Sequence, residues 1–237
     1  MKRIVFLQHA WEDPPGYVGD LLDEYGIAYD VVQVVNEPFP ELGRYAAVIG
    51  LGGFQQVYRK DLYPYLAVEK RILREAVARD LPYLGICLGG QILADLFEGA
   101  VQRHTTTEIG FFDVPLTSEG QRDPLYAGLP GYQKVFHWHE DAFELPAEAV
   151  LLATNEHAPN QAFRYGPYAY GLQYHIELNA AVLDTWLHHP ELQEKIVQTL
   201  GHEGYTALEA AIVQHVPIYR EHGRIMVQNF LKLSALI

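Results

Sequence analysis

Leu81-Pro82-Tyr83-Leu84-Gly85-Ile86-Cys87-Leu88-Gly89-Gly90-Gln91-Ile92-Leu93 decides the fold of this chain. A proline heads a short apolar run, the pattern of entry into a buried parallel strand. Glycines then frame Cys87, the only cysteine of the protein. From there Gln91-Ile92-Leu93-Ala94-Asp95-Leu96-Phe97 spaces its apolar residues for a helix packed on a sheet. Strand, glycine-flanked turn, nucleophile-type residue and helix make a nucleophile elbow, with Cys in place of Ser. Gly85 and Gly89 lack a Cβ, so strand and helix can approach closely and the nucleophile can hold a strained backbone conformation. A helix starting near Leu88 turns its free N–H groups and positive dipole end toward the sulfur, which favours the thiolate. The Leu88 N–H is also placed to stabilise an oxyanion. A lone cysteine is ordinarily a small buried hydrophobe; the glycine frame sets this one apart.

Upstream, the sequence predicts strands over 3–8, 28–35 and 46–51 and helices over 17–25 and 64–79, with Pro64 in a first helical turn. This alternation predicts an α/β fold with a doubly wound, mostly parallel sheet, whose sites lie beyond the carboxyl ends of the strands. Gly52-Gly53 and Cys87 both fall at such ends. From Ala100 the character changes. Shorter strands are predicted over 108–117, 133–137, 150–154, 161–165 and 168–174, adding mixed or antiparallel pairing. After His175 four helices are expected, over 179–188, 192–200, 206–222 and 224–233. No repeat or linker stands out, so residues 1–237 are expected to form one domain, with about 190–237 as a helical C-terminal extension.

Composition narrows the function classes. The 237 residues are 49% hydrophobic, enough for a substantial core, and carry a net charge of −13. That charge, without a basic cluster, disfavours nucleic-acid binding. One cysteine excludes an internal disulfide and a cysteine-rich metal site. The opening Met1-Lys2-Arg3-Ile4-Val5-Phe6-Leu7-Gln8 is too short an apolar run for a leader, and no stretch approaches the ~20 apolar residues of a membrane span. A cytoplasmic protein is expected. His137-x-His139 and His188-His189 lack a third ligand at a recognisable spacing, so no metal is expected. Gly50-x-Gly52-Gly53 lacks the third glycine of a dinucleotide fingerprint.

Gly171-Leu172-Gln173-Tyr174-His175-Ile176-Glu177 is the second informative stretch. A predicted strand ends here and delivers a histidine, with a carboxylate two residues on. Beside Cys87, His175 could serve as general base and then general acid, and Glu177 could fix its tautomer.

Taken together, Gly85-x-Cys87-x-Gly89-x-Gln91 and Gly171-x-Gln173-Tyr174-His175-x-Glu177 resemble the class I, triad-type glutamine amidotransferases. Among these, the likeness is greatest to stand-alone proteins similar to the glutaminase domain of GMP synthase. Gly52-Gly53 matches the family's loop after the third strand, and Val135-Phe136-His137-Trp138-His139-Glu140-Asp141 resembles a segment of the stand-alone subgroup. The resemblance implies a flavodoxin-like fold and no cofactor. It implies catalytic roles for Cys87, His175 and Glu177, an oxyanion hole from the N–H groups of Gly53 and Leu88, and a substrate-placing role for Gln91. His139 and Asp141 would border the pocket, while Trp138 and His137 would pack at a strand end.

Two positions depart from the family pattern: Ile176 stands where proline is common, and Phe54 follows Gly52-Gly53 in place of proline. The reaction implied is hydrolysis of the glutamine side-chain amide through a γ-glutamyl thioester, releasing ammonia. With no P-loop motif in the sequence, ammonia would pass to a separate synthetase. The alternatives are a self-sufficient γ-glutamyl peptide or amide hydrolase, or a non-catalytic binding or regulatory module on the same fold.

Overall fold

The structure, a computed structural model, describes residues 3–237. Met1 and Lys2, which belong to the run weighed as a leader and to the expected 1–237 domain, lie outside the described residues. Strands β1 (Arg3–Gln8), β2 (Tyr29–Gln33), β3 (Tyr45–Gly50) and β4 (Tyr83–Ile86) alternate with helices α1 (Gly16–Glu24) and α2 (Tyr65–Val77), and α3 (Leu88–Leu96) follows β4. Next come β5 (Val101–Pro115), β6 (Tyr132–Phe143), β7 (Val150–Ala153), β8 (Ala162–Tyr165) and β9 (Ala169–Leu172), then α4 (Ala180–His188) and α5 (Pro190–Leu233).

Seven strands form one sheet in the order β2-β1-β3-β4-β9-β8-β7. Pairing is parallel from β2 through β9 and antiparallel for β8 and β7, the mixed sheet expected. Side chains alternate across it as the pleat requires. Ile4 and Phe6 enter the core shared with α1 and the end of α5, while Val5 and Leu7 enter the core shared with α2 and α3.

The register between β4 and β9 matters most for the site. Gly85 pairs with Gly171 and Ile86 with Leu172, and the Cys87 N–H bonds the Leu172 carbonyl at 2.8 Å. The residues after both strands therefore leave the sheet side by side. The approach of α3 to β4 is as close as the glycines suggested: a Cβ on Gly85 would lie 2.4 Å from the Gly89 carbonyl carbon, and one on Gly89 2.3 Å from the Gly50 carbonyl oxygen.

Three expectations change. β6 runs to Phe143 rather than stopping at His137, and with β5 it forms a separate antiparallel ribbon. His137 and Trp138 therefore lie inside a strand, not at its end. The last three expected helices are two, labelled together as α5: the break expected after residue 200 is present at Gly201, whose backbone is non-helical (φ 72°, ψ 171°), and the one expected at 223 is not. Gly223, read as a break, lies within that helix 3.3 Å from the Ile176 carbonyl, measured from where a Cβ would stand. Its missing side chain lets α5 press against the loop after β9.

Candidate active site

Cys87 sits between β4 and α3 with φ 50° and ψ −104°, a region that non-glycine residues rarely occupy. The pairing of its neighbours over-determines that strain: its own N–H is held by Leu172 and its carbonyl accepts from Gln91 N–H at 3.0 Å. The side chain is 6% exposed, and that exposure opens into a cavity of about 370 Å³. The N–H groups of Leu88 and Gly53 make no hydrogen bond among the described residues.

His175 is placed by an isolated bridge to β6, where its N–H bonds the Phe136 carbonyl at 2.8 Å. Its Nδ1 lies 2.6 Å from Glu177 Oε1. Its Nε2 has no hydrogen-bond partner and shares the cavity with Cys87. Burial alone would lower the imidazole's pKa, but the Glu177 charge and the nearby Cys87 outweigh it and hold the pKa well above its usual value. A protonated imidazole beside a thiol is the counter-ion a thiolate needs.

Glu177 is held on its other oxygen too: Ile176 N–H donates to Oε2 at 2.8 Å. Proline has no N–H, so the departure at position 176 adds an orienting bond to the carboxylate. The next residue, Leu178, donates its N–H to Tyr219 of α5 at 2.9 Å. On the opposite side the Glu177 carbonyl accepts from Tyr17 N–H at the start of α1. Gly16 makes that meeting possible: its φ is +48°, and a Cβ there would lie 2.1 Å from the Glu177 oxygen.

The other sequence-predicted residues lie around the same cavity. Gln91 lines it and donates from Nε2 to the Asp141 carbonyl at 3.1 Å, which ties α3 to β6. His139 and Asp141 also line it, as does Phe54 at its mouth. Trp138 forms part of the wall, with its ring edge-on to Trp186, which is in turn edge-on to His175.

The sequence showed no third partner for His137 and His139, but the β5–β6 pairing supplies Glu108. One ligand-type atom from each of the three lies within 4.8 Å of the others, and all three residues are buried. The Glu108 carboxylate is well supplied: His139 Nε2 at 2.9 Å, Asn155 at 2.8 Å and Gln161 at 3.2 Å. Burial would raise its pKa, but the His139 hydrogen bond, the charges of His137 and His139 and the Asn155 hydrogen bond lower it to about 2. His139 Nδ1 meets the Asp141 carbonyl at 3.0 Å. His137 is different: neither ring nitrogen has a hydrogen-bond partner, its Nδ1 lies 3.9 Å from Glu108 Oε2, and burial with the adjacent His139 pushes its pKa down to about 3.

Sequence reasoning missed the loop between β1 and α1. Glu12 and Asp13 line the cavity, and Asp13, His175 and Glu177 each place one ligand-type atom within 4.8 Å of the others. The available signal was two acids in the loop after the first strand, four and five residues past its end, at the carboxyl edge where sites form. His9, also missed, is buried with Nε2 3.0 Å from both Glu69 oxygens and Nδ1 3.1 Å from the Leu51 carbonyl. Both nitrogens face acceptors, so both must carry protons, and this pair braces the Gly52-Gly53 loop from below.

With this geometry in view, the comparisons are direct. Residues 20–190 match the family model for class I glutamine amidotransferase. The chain belongs to that family. It is 29% identical over 194 residues to the glutamine amidotransferase-like protein YfeJ of Salmonella typhimurium, spanning 80% of this chain and 81% of that one. It is 33% identical over 111 residues to one subunit of the glutamine-hydrolysing GMP synthase of Pyrococcus abyssi, covering 46% of this chain and 57% of that one. The crystal structure of a glutamine amidotransferase from Thermotoga maritima superposes with a TM-score of 0.86 at 28% identity, covering 98% of both chains. The family match ends at residue 190, where α5 begins.

Proposed function

We propose that this protein hydrolyses γ-glutamyl amides, glutamine first among them, through a thioester on Cys87. The observation that carries the reading is the meeting in one cavity of Cys87, on its strained turn, with a histidine whose far nitrogen Glu177 holds at 2.6 Å. The sulfur attacks the γ-carbonyl carbon while the N–H groups of Gly53 and Leu88 receive the oxyanion. His175 gives its proton to the departing nitrogen as the C–N bond breaks. Water, deprotonated by His175, then attacks the thioester and releases glutamate. Glu177 holds the imidazole's orientation and stabilises its charged form. Gln91, His139 and Asp141 shape the wall that receives the amino-acid end. No step calls for a cofactor or a metal.

The Pyrococcus abyssi relative is by name a component of a glutamine-hydrolysing GMP synthase. By analogy, ammonia released here would pass to a separate synthetase in the reducing cytoplasm, where Cys87 stays a thiol. A specific observation favours the second reading, a self-sufficient γ-glutamyl amide hydrolase. α5, beyond the family-matched span, contributes Leu192 and Lys195 to the cavity wall, so the chain encloses the site with its own extension. We treat residues 1–237 as one working domain on this account. Glutamate release from glutamine and from γ-glutamyl amides, with and without Cys87→Ala, tests the proposal. Loss of all turnover in the variant, with its melting temperature within a few degrees of the parent's, is expected. Undiminished turnover would refute it, and binding without turnover in the parent would favour a non-catalytic module.

A further inference from the structure

Glu108, His137 and His139 form a buried cluster that takes no part in the bond changes of the proposed hydrolysis. Residues two apart on β6 share a face, so His137 and His139 point the same way, and Glu108 stands opposite His139 in the β5–β6 register. Glu108 and His139 alone would make an ordinary buried ion pair. His137 is what that pair leaves unexplained. It is 0% exposed, and neither Nδ1 nor Nε2 has a hydrogen-bond partner among the described residues. Buried polar groups normally have one, and an imidazole without one costs more to bury than a leucine. The ring is nonetheless fixed, edge-on to Phe112 and Tyr174 with centroids 5.0 and 6.1 Å away.

The donor atoms are spaced as a divalent transition-metal ion requires. With metal–ligand distances of about 2.0–2.2 Å, a tetrahedral ion holds neighbouring donors roughly 3.3 Å apart. Glu108 Oε2 lies 2.9 Å from His139 Nε2 and 3.9 Å from His137 Nδ1, on either side of that value. The surrounding shell fits as well. His139 Nδ1 meets the Asp141 carbonyl at 3.0 Å, and a carbonyl only accepts, so Nδ1 carries a proton and Nε2 is the nitrogen turned to a cation. Asn155 at 2.8 Å and Gln161 at 3.2 Å donate to the Glu108 carboxylate and hold it in place. Two imidazoles and one carboxylate suit zinc and its neighbours, and disfavour magnesium and calcium, which take oxygen ligands.

We propose that Glu108, His137 and His139 bind one divalent transition-metal ion of the zinc class, which pins the β5–β6 ribbon. The ion stands where a proton would bridge His139 Nε2 and Glu108, and it gives His137 Nδ1 the partner it lacks. Three protein donors leave a fourth position for water. His139 lines the cavity and so marks the way in. The Asp141 carbonyl that orients His139 also accepts from Gln91 Nε2 at 3.1 Å. The ion therefore steadies the wall beside Cys87 without touching the reacting atoms. This site stands independently of the role given to Cys87.

The test is calorimetric titration of zinc into the full chain carrying Cys87→Ser, first stripped with chelator, the form in which His137 is a free imidazole. Removing the thiol keeps zinc from pairing Cys87 with His175. Asp13→Asn in the same background disables the other cluster with ligand-type spacing, Asp13 with His175 and Glu177. One zinc per chain is expected, with its affinity unchanged by Asp13→Asn. His137→Leu and Glu108→Gln should each weaken it by about 100-fold or more, at or beyond the loss that follows removal of an outer-shell partner. An anomalous-difference map at the zinc edge needs no ligand substitution, so it decides even where those variants fail to melt cooperatively, and it should place the ion among the three side chains. No binding heat at about 0.1 mM zinc, equal affinity after His137→Leu, loss of binding in Asp13→Asn, or no zinc peak among the three side chains would overturn the site.

Discussion

The two oxygens of Glu177 serve different partners, His175 Nδ1 on one and the Ile176 N–H on the other. Glu177→Gln keeps the shape but removes the charge that raises the His175 pKa. Because a raised histidine pKa keeps the imidazolium present as pH rises, the variant's activity should begin to fall at a lower pH on the alkaline side. Its kcat should drop by roughly 10²-fold, less than in His175→Ala, where the base itself is gone. A pH–rate profile of both variants checks this.

Asp13 gives a prediction of opposite character. Burial, aided by Glu177 and Glu12 and opposed by His175, raises its carboxyl pKa to about 7. The folded state therefore holds a proton that the unfolded state releases near the ordinary value of 3.8, so stability falls as pH rises from 4 to 7 and stays lower above. Asp13→Asn should accordingly stabilise the protein at pH 8, by on the order of 2–4 kcal/mol in urea unfolding, and gain little at pH 4. His137 works in the reverse direction. Its folded pKa of about 3 lies below the ordinary 6.5, so the unfolded state binds the extra proton and stability is lost as pH falls from 6.5 toward 3. His137→Leu should flatten that acid limb, and it removes two buried nitrogens that make no hydrogen bond. No flattening in an acid-unfolding series would contradict this.

At the scale of elements, the site depends on three segments meeting at Glu177: the loop after β9, the start of α1 through Gly16 and Tyr17, and α5 through Tyr219 and Gly223. Gly16→Ala should cost about 1–3 kcal/mol for the positive φ alone, and more for the clash with the Glu177 carbonyl. Since that clash moves the loop that carries His175 and Glu177, kcat should fall with stability, and a full-activity variant with unchanged urea midpoint would contradict the account. Much at this scale was legible in the sequence. The elbow around Cys87 was readable because close packing of α3 on β4 forces glycine at fixed spacings, and the strand before His175 because its residues are uniformly apolar. β6 was cut short because His137-Trp138-His139-Glu140-Asp141 breaks the apolar alternation of a strand, and these residues instead face the cavity and the Glu108 network. Gly201 and Gly223 looked alike as helix stops. Only Gly201 has a non-helical backbone, while Gly223 answers a tertiary demand, the approach of α5 to Ile176, that no local pattern records. Glu12 and Asp13 escaped notice because two acids before Pro14-Pro15 read as an ordinary solvated loop until the sheet places them beside His175.

Across the whole molecule, a chain of net charge −13 keeps part of its acidity in the cavity beside Cys87, where it is least comfortable. None of its helices among the described residues is long and apolar enough to cross a membrane. The mixed sheet provides the family's platform, and α5, outside the family-matched residues, closes one wall of the site. The central claim is the covalent role of Cys87. Its most direct test is rapid quenching of the protein during turnover of a γ-glutamyl amide, followed by intact-mass and peptide mapping. The account predicts a γ-glutamyl adduct on Cys87 that decays with release of glutamate and is absent from Cys87→Ala. Glutamate release at an equal rate from Cys87→Ala, or turnover in the parent with no adduct on Cys87 at any time, would contradict it.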